Sequence, residues 1–450
     1  MAGSDINPNI FRAYDIRGMY GKDLDERIME RIGNAFASLF VKDAVVVGMD
    51  GRKSSPGLKK ALIDGVIRSG KDVIDVGMLP RGVYLFFAWK RNLPSAYITA
   101  SHLGKEWNGI KFAYSNGIEL FEPDNYKVRN RVLGGKSHDA KKPGRVEKAE
   151  PIEDYKRFVL SKVGRTDRPL RVVMDCGNGV AGMVAPDLFE QAGFEVATIF
   201  GDVDGNFPNR PPDIDESDLS RLIDKSKHSD MGIVFDGDGD RLKLLDDKGR
   251  IMGPEAVSYL ILRQLTKEEK GPIIANVECL KVMDEIAEKQ GRDIYRVRVG
   301  NSFLVQAVFE HGACFGVERS GHFCVPSIIP VDDALAVSLY AAKILSGTGK
   351  RLSDIVDEIP LYPFKRLKVD CADDLKFKVI ESLKKKLASR YEHVNTIDGV
   401  RVDFDYGWAL IRASNTGPVI RISIEAVDEV KIKKLSDEFL GILKKELEGI

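Results

Sequence analysis

The stretch IVFDGDGDRL, residues 233–242, places three carboxylates close together directly after an apolar run. Asp236, Asp238 and Asp240 alternate with glycines, and Arg241 follows them. Because the apolar residues predict a buried strand, we expect the carboxylates at its carboxyl end, where ligands bind in open α/β sheets. Carboxylates this close repel one another, and a hard divalent cation such as Mg²⁺ removes that conflict. The alternative is a solvated acidic turn.

A calcium loop of the EF-hand type is a third interpretation of this stretch. Such a loop needs glycine at its sixth position and glutamate at its twelfth. Counted from Asp236, these positions hold Arg241 and Asp247. The sequence therefore argues against a calcium loop.

A second segment, TASHLGKEWNGIK at residues 99–111, follows the strand-like SAYI and carries a hydroxyl, an imidazole and an ammonium group. These belong to Ser101, His102 and Lys111. A serine flanked by a base and a cation can act as a nucleophile or carry a phosphoryl group. On spacing alone, an ordinary polar loop is the simpler interpretation.

The segment RASNTGP, residues 412–418, joins two strand-like runs and has the composition of an anion site. Ser414, Asn415 and Thr416 offer short polar side chains, and Gly417 frees backbone N–H groups. Arg412 adds a bidentate donor that suits phosphate. The alternative is a plain β-hairpin turn.

The segment GVERSGH, residues 316–322, also follows an apolar run. Glu318, Ser320 and His322 alternate, so in an extended segment they would face the same side. An acceptor, a hydroxyl and an imidazole on one face suit a polyol such as a sugar. The alternative is a solvated strand end.

A competing signal is the glycine-rich CGNGVAG, residues 176–182, which follows the strand-like RVVMD. Gly177, Gly179 and Gly182 have the spacing of a dinucleotide-binding turn, and Asp202 lies twenty residues further on. Taken alone, this motif keeps an NAD-dependent dehydrogenase open as an alternative.

The elements that must position these loops follow two patterns. Short β-branched runs alternate with helical patterns three times, which predicts three related α/β domains with mixed, mostly parallel sheets. From about residue 364, strands cluster between helices and predict a smaller C-terminal α+β domain. We expect the four domains, arranged around a central cleft, at residues 1–147, 148–251, 252–362 and 363–450.

Composition narrows the class of protein. Basic and acidic residues balance at 68 each, so no net field favours nucleic acid or an anionic membrane as partner. No apolar run reaches the roughly 18 residues of a membrane span, and the N-terminus lacks a signal-peptide pattern. The five scattered cysteines are typical of a reducing compartment. We expect a cytoplasmic protein.

Taken together, the four polar loops resemble those of the α-D-phosphohexomutase family, specifically its phosphomannomutase and phosphoglucomutase members. TASHLGKEWNGIK resembles the phosphoserine loop, DGDGDR the metal loop, GVERSGH the sugar-recognition loop and RASNTGP the phosphate-binding loop. FRAYDIRG and DGNFPN are similar as well, so the resemblance covers nearly the whole chain. CGNGVAG resembles a structural turn of the same enzymes, which counts against the dinucleotide interpretation.

The resemblance implies an isomerase that exchanges phosphate between the 1- and 6-positions of mannose, glucose or both. Ser101 would carry the phosphoryl group, and a hexose 1,6-bisphosphate would be both intermediate and activator. The implied Mg²⁺ ligands are Ser101, Asp236, Asp238 and Asp240. The implied catalytic residues are Ser101, His102, Lys111 and Arg241. The implied substrate-binding residues are Tyr14, Arg17, Asn301, Glu318, Ser320, His322, Arg412, Ser414, Asn415 and Thr416.

Three departures from the family pattern stand out. Leu103-Gly104 replaces the usual Asn-Pro, which predicts a more mobile serine loop. Asn301 stands where many members have histidine, so it cannot act as an acid or base. Arg81 stands where threonine is usual and adds a cation to which the sequence assigns no function.

Two alternatives remain beside the hexose mutase. The first is a phosphoglucosamine or phosphopentose mutase, although Ser414-Asn415-Thr416 favours plain hexoses over amino sugars. The second is a sugar-phosphate binding protein without turnover. We expect sugar phosphates as the small-molecule partners, and a monomer or homodimer.

Overall fold

A computed structural model describes residues 6–265, 269–414 and 417–449 of the chain. The described residues form four sheets, each built from one consecutive stretch of sequence. No helix in these ranges is long and apolar enough to cross a membrane.

The first sheet follows from the alternation of apolar runs and amphipathic helices in the first third of the chain. Its strands are β1 Ile16–Met19, β2 Ala44–Met49, β3 Asp72–Met78, β4 Ser95–Ile98, β5 Trp107–Ala113 and β6 Val146–Lys148. Its helices are α1 Glu26–Phe40, α2 Ser55–Arg68, α3 Arg81–Arg91 and α4 Asp124–Leu133. The strand order is β1-β5-β4-β2-β3-β6. Ser101 therefore follows the carboxyl end of a central strand, β4.

The second sheet repeats this arrangement with five strands. They are β7 Arg171–Asp175, β8 Glu195–Ile199, β9 Met231–Phe235, β10 Leu242–Leu245 and β11 Ile251–Met252, in the order β11-β10-β9-β7-β8. The helices are α5 Ile152–Val163, α6 Ala185–Ala192 and α7 Ser220–Ser226. β9 is buried along its whole length, and Asp236 comes directly after it.

The third sheet also has five strands. They are β12 Ile273–Asn276, β13 Ile294–Val297, β14 Phe315–Val317, β15 Phe323–Val325 and β16 Ile329–Asp332, in the order β13-β12-β14-β15-β16. The helices are α8 Pro254–Leu262, α9 Val282–Lys289, α10 Asn301–Glu310, α11 Ala334–Thr348 and α12 Leu352–Val356. The segment that contains Glu318 and Ser320 is the turn between β14 and β15.

The fourth sheet is antiparallel throughout its described pairs. Its strands are β17 Phe364–Asp370, β18 Val394–Asn395, β19 Val400–Phe404, β20 Gly407–Ala413 and β21 Val419–Ala426, in the order β17-β21-β20-β19-β18. The helices are α13 Asp373–Ala388 and α14 Glu429–Glu448. Arg412 lies near the end of β20, at the turn to β21.

The predicted fold class is confirmed, and the first three sheets share one pattern. Each has parallel strands on one side and two antiparallel pairs at the opposite edge. The sheets are thus mixed, with a larger antiparallel share than the sequence indicated. Two expected domain limits pass through β6 and β11, which complete the first and second sheets. We therefore propose limits just after Lys148 and Met252.

One apolar cluster joins the first three sheets and includes Trp408 and Leu410 of the fourth, which also has a cluster of its own. Phe86, Phe189 and Phe315, from three different domains, are fully buried members of the shared cluster. Within it, the ring of Tyr155 packs edge-on against Phe86, with 5.6 Å between centroids, and its hydroxyl donates to Asp333 at 2.8 Å. This shared core fixes the serine loop relative to the metal loop.

Candidate active site

Ser101 is held in a conformation that few non-glycine residues adopt. Its φ of 50° lies in the left-handed region, and its side chain is 1% exposed. Its N–H donates to Thr99 Oγ1 at 2.8 Å, and its Oγ donates to Asp236 Oδ2 at 2.8 Å. The Oγ also lies 3.3 Å from His102 Nδ1. Backbone strain of this kind persists where the surroundings over-determine the geometry, and it concentrates at active sites.

A buried arginine, Arg52, donates hydrogen bonds to the backbone of the serine loop. Arg52 is paired with Asp50, with Nε 2.9 Å from Oδ2. Its two Nη atoms donate to the backbone carbonyls of Ser101 (2.7 Å), Leu103 (2.6 Å), Gly104 (2.6 Å) and Trp107 (3.0 Å). Arg52 thus restrains the loop that the Leu103-Gly104 departure was expected to loosen.

The metal loop lies against the serine loop, as the sequence predicted for a strand end. The side chains of Asp236, Asp238 and Asp240 are buried, and one oxygen of each lies within 4.8 Å of the others. A Cβ atom on Gly237 would lie only 2.7 Å from the Ser101 carbonyl oxygen, so the approach of the two loops requires glycine there. The glycine between Asp236 and Asp238 therefore lets the metal loop approach the serine loop closely.

The three carboxylates are suited to a cation. Asp238 Oδ1 and Asp240 Oδ1 are buried and have no hydrogen-bond partner among the described residues. Burial, followed by the charges of Asp240 and Asp238, raises the pKa of Asp236 well above its ordinary value. Burial and Asp240 raise the pKa of Asp238 to about 6. A divalent cation relieves both the burial of charge and the mutual repulsion, and carboxylate oxygens are its preferred ligands.

Arg81, which the sequence left without a function, lies inside this carboxylate cluster. Its side chain is 1% exposed, and its Nη1 lies 3.0 Å from Asp240 Oδ2 and 3.0 Å from Asp332 Oδ2. Its Nε and Nη2 donate to Glu119 Oε1 at 2.9 and 2.5 Å. Burial raises the pKa of Asp240, but the cations Arg81, Lys111 and Arg241 outweigh it and hold this pKa well below the ordinary value.

Arg241 and His322 extend the same network toward the solvent. His322 Nδ1 lies 2.7 Å from Asp332 Oδ2, and Arg241 Nε donates to His322 Nε2 at 3.0 Å. Since a carboxylate only accepts, this geometry assigns the neutral tautomer with its proton on Nδ1. The lone pair of His322 Nε2 therefore accepts the hydrogen bond from Arg241 Nε.

His102 lies beside Ser101, and Lys111 lies beside the carboxylate cluster. Burial, with smaller contributions from Arg241 and Arg17, lowers the pKa of His102 well below its ordinary value. The ring is therefore neutral near pH 7. Lys111 Nζ lies 3.5 Å from Glu119 Oε2 and 3.6 Å from Asp240 Oδ2.

Within GVERSGH, the residues from Glu318 to His322 are not extended, so that part of the sequence interpretation is wrong. Residues 319 and 320 form a turn, closed by hydrogen bonds between Glu318 N–H and the His322 carbonyl (3.0 Å) and between Gly321 N–H and the Glu318 carbonyl (3.0 Å). The turn, not strand alternation, brings the side chains together: Ser320 Oγ donates to Glu318 Oε2 at 3.1 Å. Glu318 Oε1 accepts from Gly300 N–H at 2.6 Å.

The remaining predicted residues surround the same space. Asn301 begins α10, and its Nδ2 donates to Asp332 at 3.2 Å. Arg17 Nε lies 2.7 Å from Asp15 Oδ2. Burial, then the charge of Asp15, raises the pKa of Tyr14 to about 12, so its hydroxyl keeps its proton.

One cavity of about 260 Å³ brings most of the predicted residues together. Its lining includes Tyr14, Arg17, His102, Lys111, Arg241, Asn301, Glu318, Ser320, His322, Arg412 and Ser414. Ser101 lies beside it in contact with His102, and Asp236 accepts from the Arg241 backbone N–H at 3.2 Å. Asn415 and Thr416 lie outside the described residues.

Sequence reasoning missed several charged residues of this cavity. They are Asp213, Lys243, Glu278, Arg319, Arg366 and Arg421. Arg366 and Arg421 lie on the neighbouring strands β17 and β21, where alternating charge was the available signal. Glu278 follows a strand of a different domain, and no spacing in the sequence connects it with these arginines.

The glycine-rich turn at residues 177–182 is packed and does not form a dinucleotide site. Gly177 N–H donates to Asp175 Oδ1 at 2.8 Å. The Arg210 guanidinium pairs with Asp175 at 2.9 Å, and its central carbon lies 2.5 Å from where a Cβ on Gly177 would be. The turn therefore has a structural function.

Comparison with known proteins gives matches along the whole chain. Models of the phosphoglucomutase/phosphomannomutase domains match residues 8–139 (α/β/α domain I), 153–249 (domain II), 254–362 (domain III) and 367–442 (C-terminal domain).

Individual relatives match at similar levels. A probable phosphoglucosamine mutase from Methanopyrus kandleri is 33% identical over 98% of this chain and 99% of its own length. A phosphomannomutase/phosphoglucomutase from Pseudomonas aeruginosa is 33% identical over 97% and 96%. The crystal structure of a phosphoglucomutase/phosphomannomutase family protein from Burkholderia thailandensis superposes with a TM-score of 0.89 at 31% identity and covers 99% of both chains.

We predict that Arg81→Met destabilises the folded protein. The substitution leaves Glu119 and Asp332 buried without their cation, and breaking a buried ion pair costs about 3–5 kcal/mol. Urea unfolding measures the effect as a lower midpoint. Arg91→Met is the matched control because Arg91 is exposed at the end of the same helix, α3. Equal midpoints for the two variants would contradict the prediction.

Proposed function

This chain belongs to the α-D-phosphohexomutase family, and we propose that it interconverts the 1-phosphates and 6-phosphates of mannose, glucose or both through a phosphoserine at Ser101. The enzyme is an isomerase of the phosphoglucomutase/phosphomannomutase type. The observation that carries the proposed mechanism is the position of Ser101 Oγ, 2.8 Å from Asp236 Oδ2, beside a cavity that extends to Arg412.

Mg²⁺ fits the acidic site beside Ser101. The buried oxygens of Asp238 and Asp240 that lack hydrogen bonds form a hard-oxygen donor set, together with Asp236 and a phosphate on Ser101. When bound there, Mg²⁺ neutralises part of the charge of the phosphoryl group. The guanidinium of Arg241 contributes to the same neutralisation. The backbone N–H of Arg241 binds Asp236, and its side chain lines the cavity.

Transfer moves the phosphoryl group from Ser101 to a free hydroxyl of the bound hexose monophosphate. The bond from phosphorus to Ser101 Oγ breaks, a bond to the sugar oxygen forms, and the proton of the sugar hydroxyl ends on Ser101 Oγ, which becomes a hydroxyl again. The neutral His102 ring, 3.3 Å from Ser101 Oγ, can accept this proton and pass it to that atom. Lys111 lies close enough to the same cluster to add positive charge. Such transfers depend mainly on positioning and charge neutralisation.

The product of the first transfer is a hexose 1,6-bisphosphate. After it turns over in the cavity, its other phosphate returns to Ser101, which leaves the isomeric monophosphate. Added hexose 1,6-bisphosphate therefore acts as activator by restoring phosphoserine.

Residues at the other end of the cavity hold the substrate. Arg412 and Ser414 bind the phosphate that is not transferred, with Asn415 and Thr416, which follow them in the sequence. Glu318 and Ser320 contact sugar hydroxyls, because their side chains meet at the turn between β14 and β15. Tyr14, Arg17, Asn301 and His322 line the space between the two ends.

A phosphoglucosamine mutase is the second candidate function. The name of the Methanopyrus kandleri relative supports it at the same 33% identity as the Pseudomonas aeruginosa relative. Parallel assays with glucose, mannose and glucosamine 1-phosphates separate the two candidates by their relative kcat/KM.

We predict that Ser101→Ala lowers turnover of the preferred hexose 1-phosphate by about 10³-fold or more, because the phosphoryl carrier is lost. Formation of 6-phosphate, with Mg²⁺ and a trace of glucose 1,6-bisphosphate, is the readout. The control is Ser137→Ala, an exposed serine of the same domain. Full activity of the Ser101 variant would remove this residue as carrier, and no product from any sugar with the unaltered enzyme would contradict a mutase.

We predict that Mg²⁺ raises the melting temperature more at pH 7.5 than at pH 5. The raised pKa values of Asp236 and Asp238 mean that the metal-free folded state keeps protons that the unfolded state releases. Their contribution to stability therefore falls as pH rises from about 4 to above 6. Above this range the ionised carboxylates bind Mg²⁺, whereas protons compete with it below.

Differential scanning fluorimetry with and without Mg²⁺ provides this measurement. Asp224→Asn, at an exposed aspartate of α7, should keep the pH dependence, and Asp238→Asn should lose most of the Mg²⁺ effect. Equal Mg²⁺ effects at both pH values would contradict the assignment of these ligands.

A further inference from the structure

Three arginines converge at the end of the cavity away from Ser101. Arg366, Arg412 and Arg421, here called the arginine clamp, all line the cavity and come from adjacent strands of the fourth sheet. Among the described residues, no carboxylate lies within ion-pair distance of Arg421, and its Nε is buried without a hydrogen-bond partner. The clamp therefore keeps positive charge available for an anion.

One carboxylate nevertheless enters this clamp from another domain. Glu278 follows β12 in the third domain and is 3% exposed. Its Oε1 lies 3.3 Å from Arg412 Nε, and its Oε2 accepts from Arg366 Nη2 at 3.2 Å. Ser423 Oγ donates to Oε1 at 2.8 Å. Glu278 thus occupies two of the three arginines that a phosphate would use.

The carboxylate stays ionised in this position. Burial raises the pKa of Glu278, but Arg412 and Arg366 outweigh burial and lower this pKa to about 2. The negative charge is therefore present at every pH at which the enzyme would work. A fixed anion at hydrogen-bond distance from a cation reduces the attraction of that cation for a second anion.

We propose that Glu278 limits the phosphate affinity of the arginine clamp by competing with the bound phosphate for Arg412 and Arg366. This inference rests on the proposed function, in which a hexose bisphosphate must release one phosphate from the clamp and present the other in each cycle. Binding that holds substrate, intermediate and product equally tightly does not accelerate turnover. A built-in competitor keeps the arginines ordered while the clamp is empty and weakens its hold when it is filled.

The test is the affinity for inorganic phosphate, measured by titration calorimetry on the metal-free, dephosphorylated enzyme at low ionic strength. Glu278→Gln keeps the shape and the oxygen acceptor but removes the charge. We expect the Kd for phosphate to fall by at least about tenfold. If Glu278 only positioned the arginines, its loss would weaken binding, so an unchanged or higher Kd would overturn the proposal.

Two further variants test whether the change in phosphate Kd comes from the charge of Glu278. Glu425→Gln removes another buried carboxylate, one that binds Trp408 and the Lys281 N–H outside the cavity, and should leave the Kd unchanged. Glu278→Gln/Arg366→Gln removes one charge of each sign, so the net charge that attracts phosphate is unchanged and the Kd should stay within about twofold of the unaltered enzyme. A tenfold change in this charge-balanced variant would overturn the proposal even if Glu278→Gln alone failed to fold.

The calorimetric result is independent of turnover. An inactive enzyme in the mutase assay would contradict the proposed function, whereas an unchanged phosphate affinity of Glu278→Gln would contradict only the competing carboxylate. The melting temperature of each variant, recorded with the same samples, verifies that the folded state is being titrated.

Discussion

The constraint on which this structure depends is the burial of several carboxylates at the end of β9. Asp236, Asp238 and Asp240 cannot all remain charged in a dry environment without nearby cations. Arg81 supplies one cation from the first domain, and Arg241 supplies another from the loop itself. The remaining need for positive charge suits the loop to a divalent metal, and a phosphate on the adjacent Ser101 would add a further oxygen ligand.

The same balance of charge connects the domains. Arg81 joins Glu119 of the first domain, Asp240 of the second and Asp332 of the third, within a shared apolar core. Asp332 in turn binds His322, which binds Arg241. At the opposite end of the cavity, Glu278 of the third domain pairs with arginines of the fourth. Each end of the cavity is therefore assembled from charges that separate domains contribute.

Sequence patterns predicted the parts of this site that are local. The position of DGDGDR after a buried strand and the strand before Ser101 depend on spacing within a few residues, and the structure has both as expected. The two strands that flank the RASNTGP segment were also expected, and they pair as β20 and β21. Contacts between domains were not predictable in this way. Arg81 and Glu278 carry no motif, because their partners lie far away in the chain. The prediction for GVERSGH was wrong for a different reason. Alternating residues face the same side only in a strand, and residues 319 and 320 form a turn.

A label on phosphorus shows whether the phosphoryl group passes through Ser101. Enzyme labelled on serine with ³²P from labelled glucose 1,6-bisphosphate is mixed with unlabelled hexose 1-phosphate and stopped at short times. We expect the label to leave the Ser101 peptide and to appear first in hexose bisphosphate and then in hexose monophosphate. Label that remains on the protein while 6-phosphate accumulates would exclude Ser101 as the phosphoryl carrier.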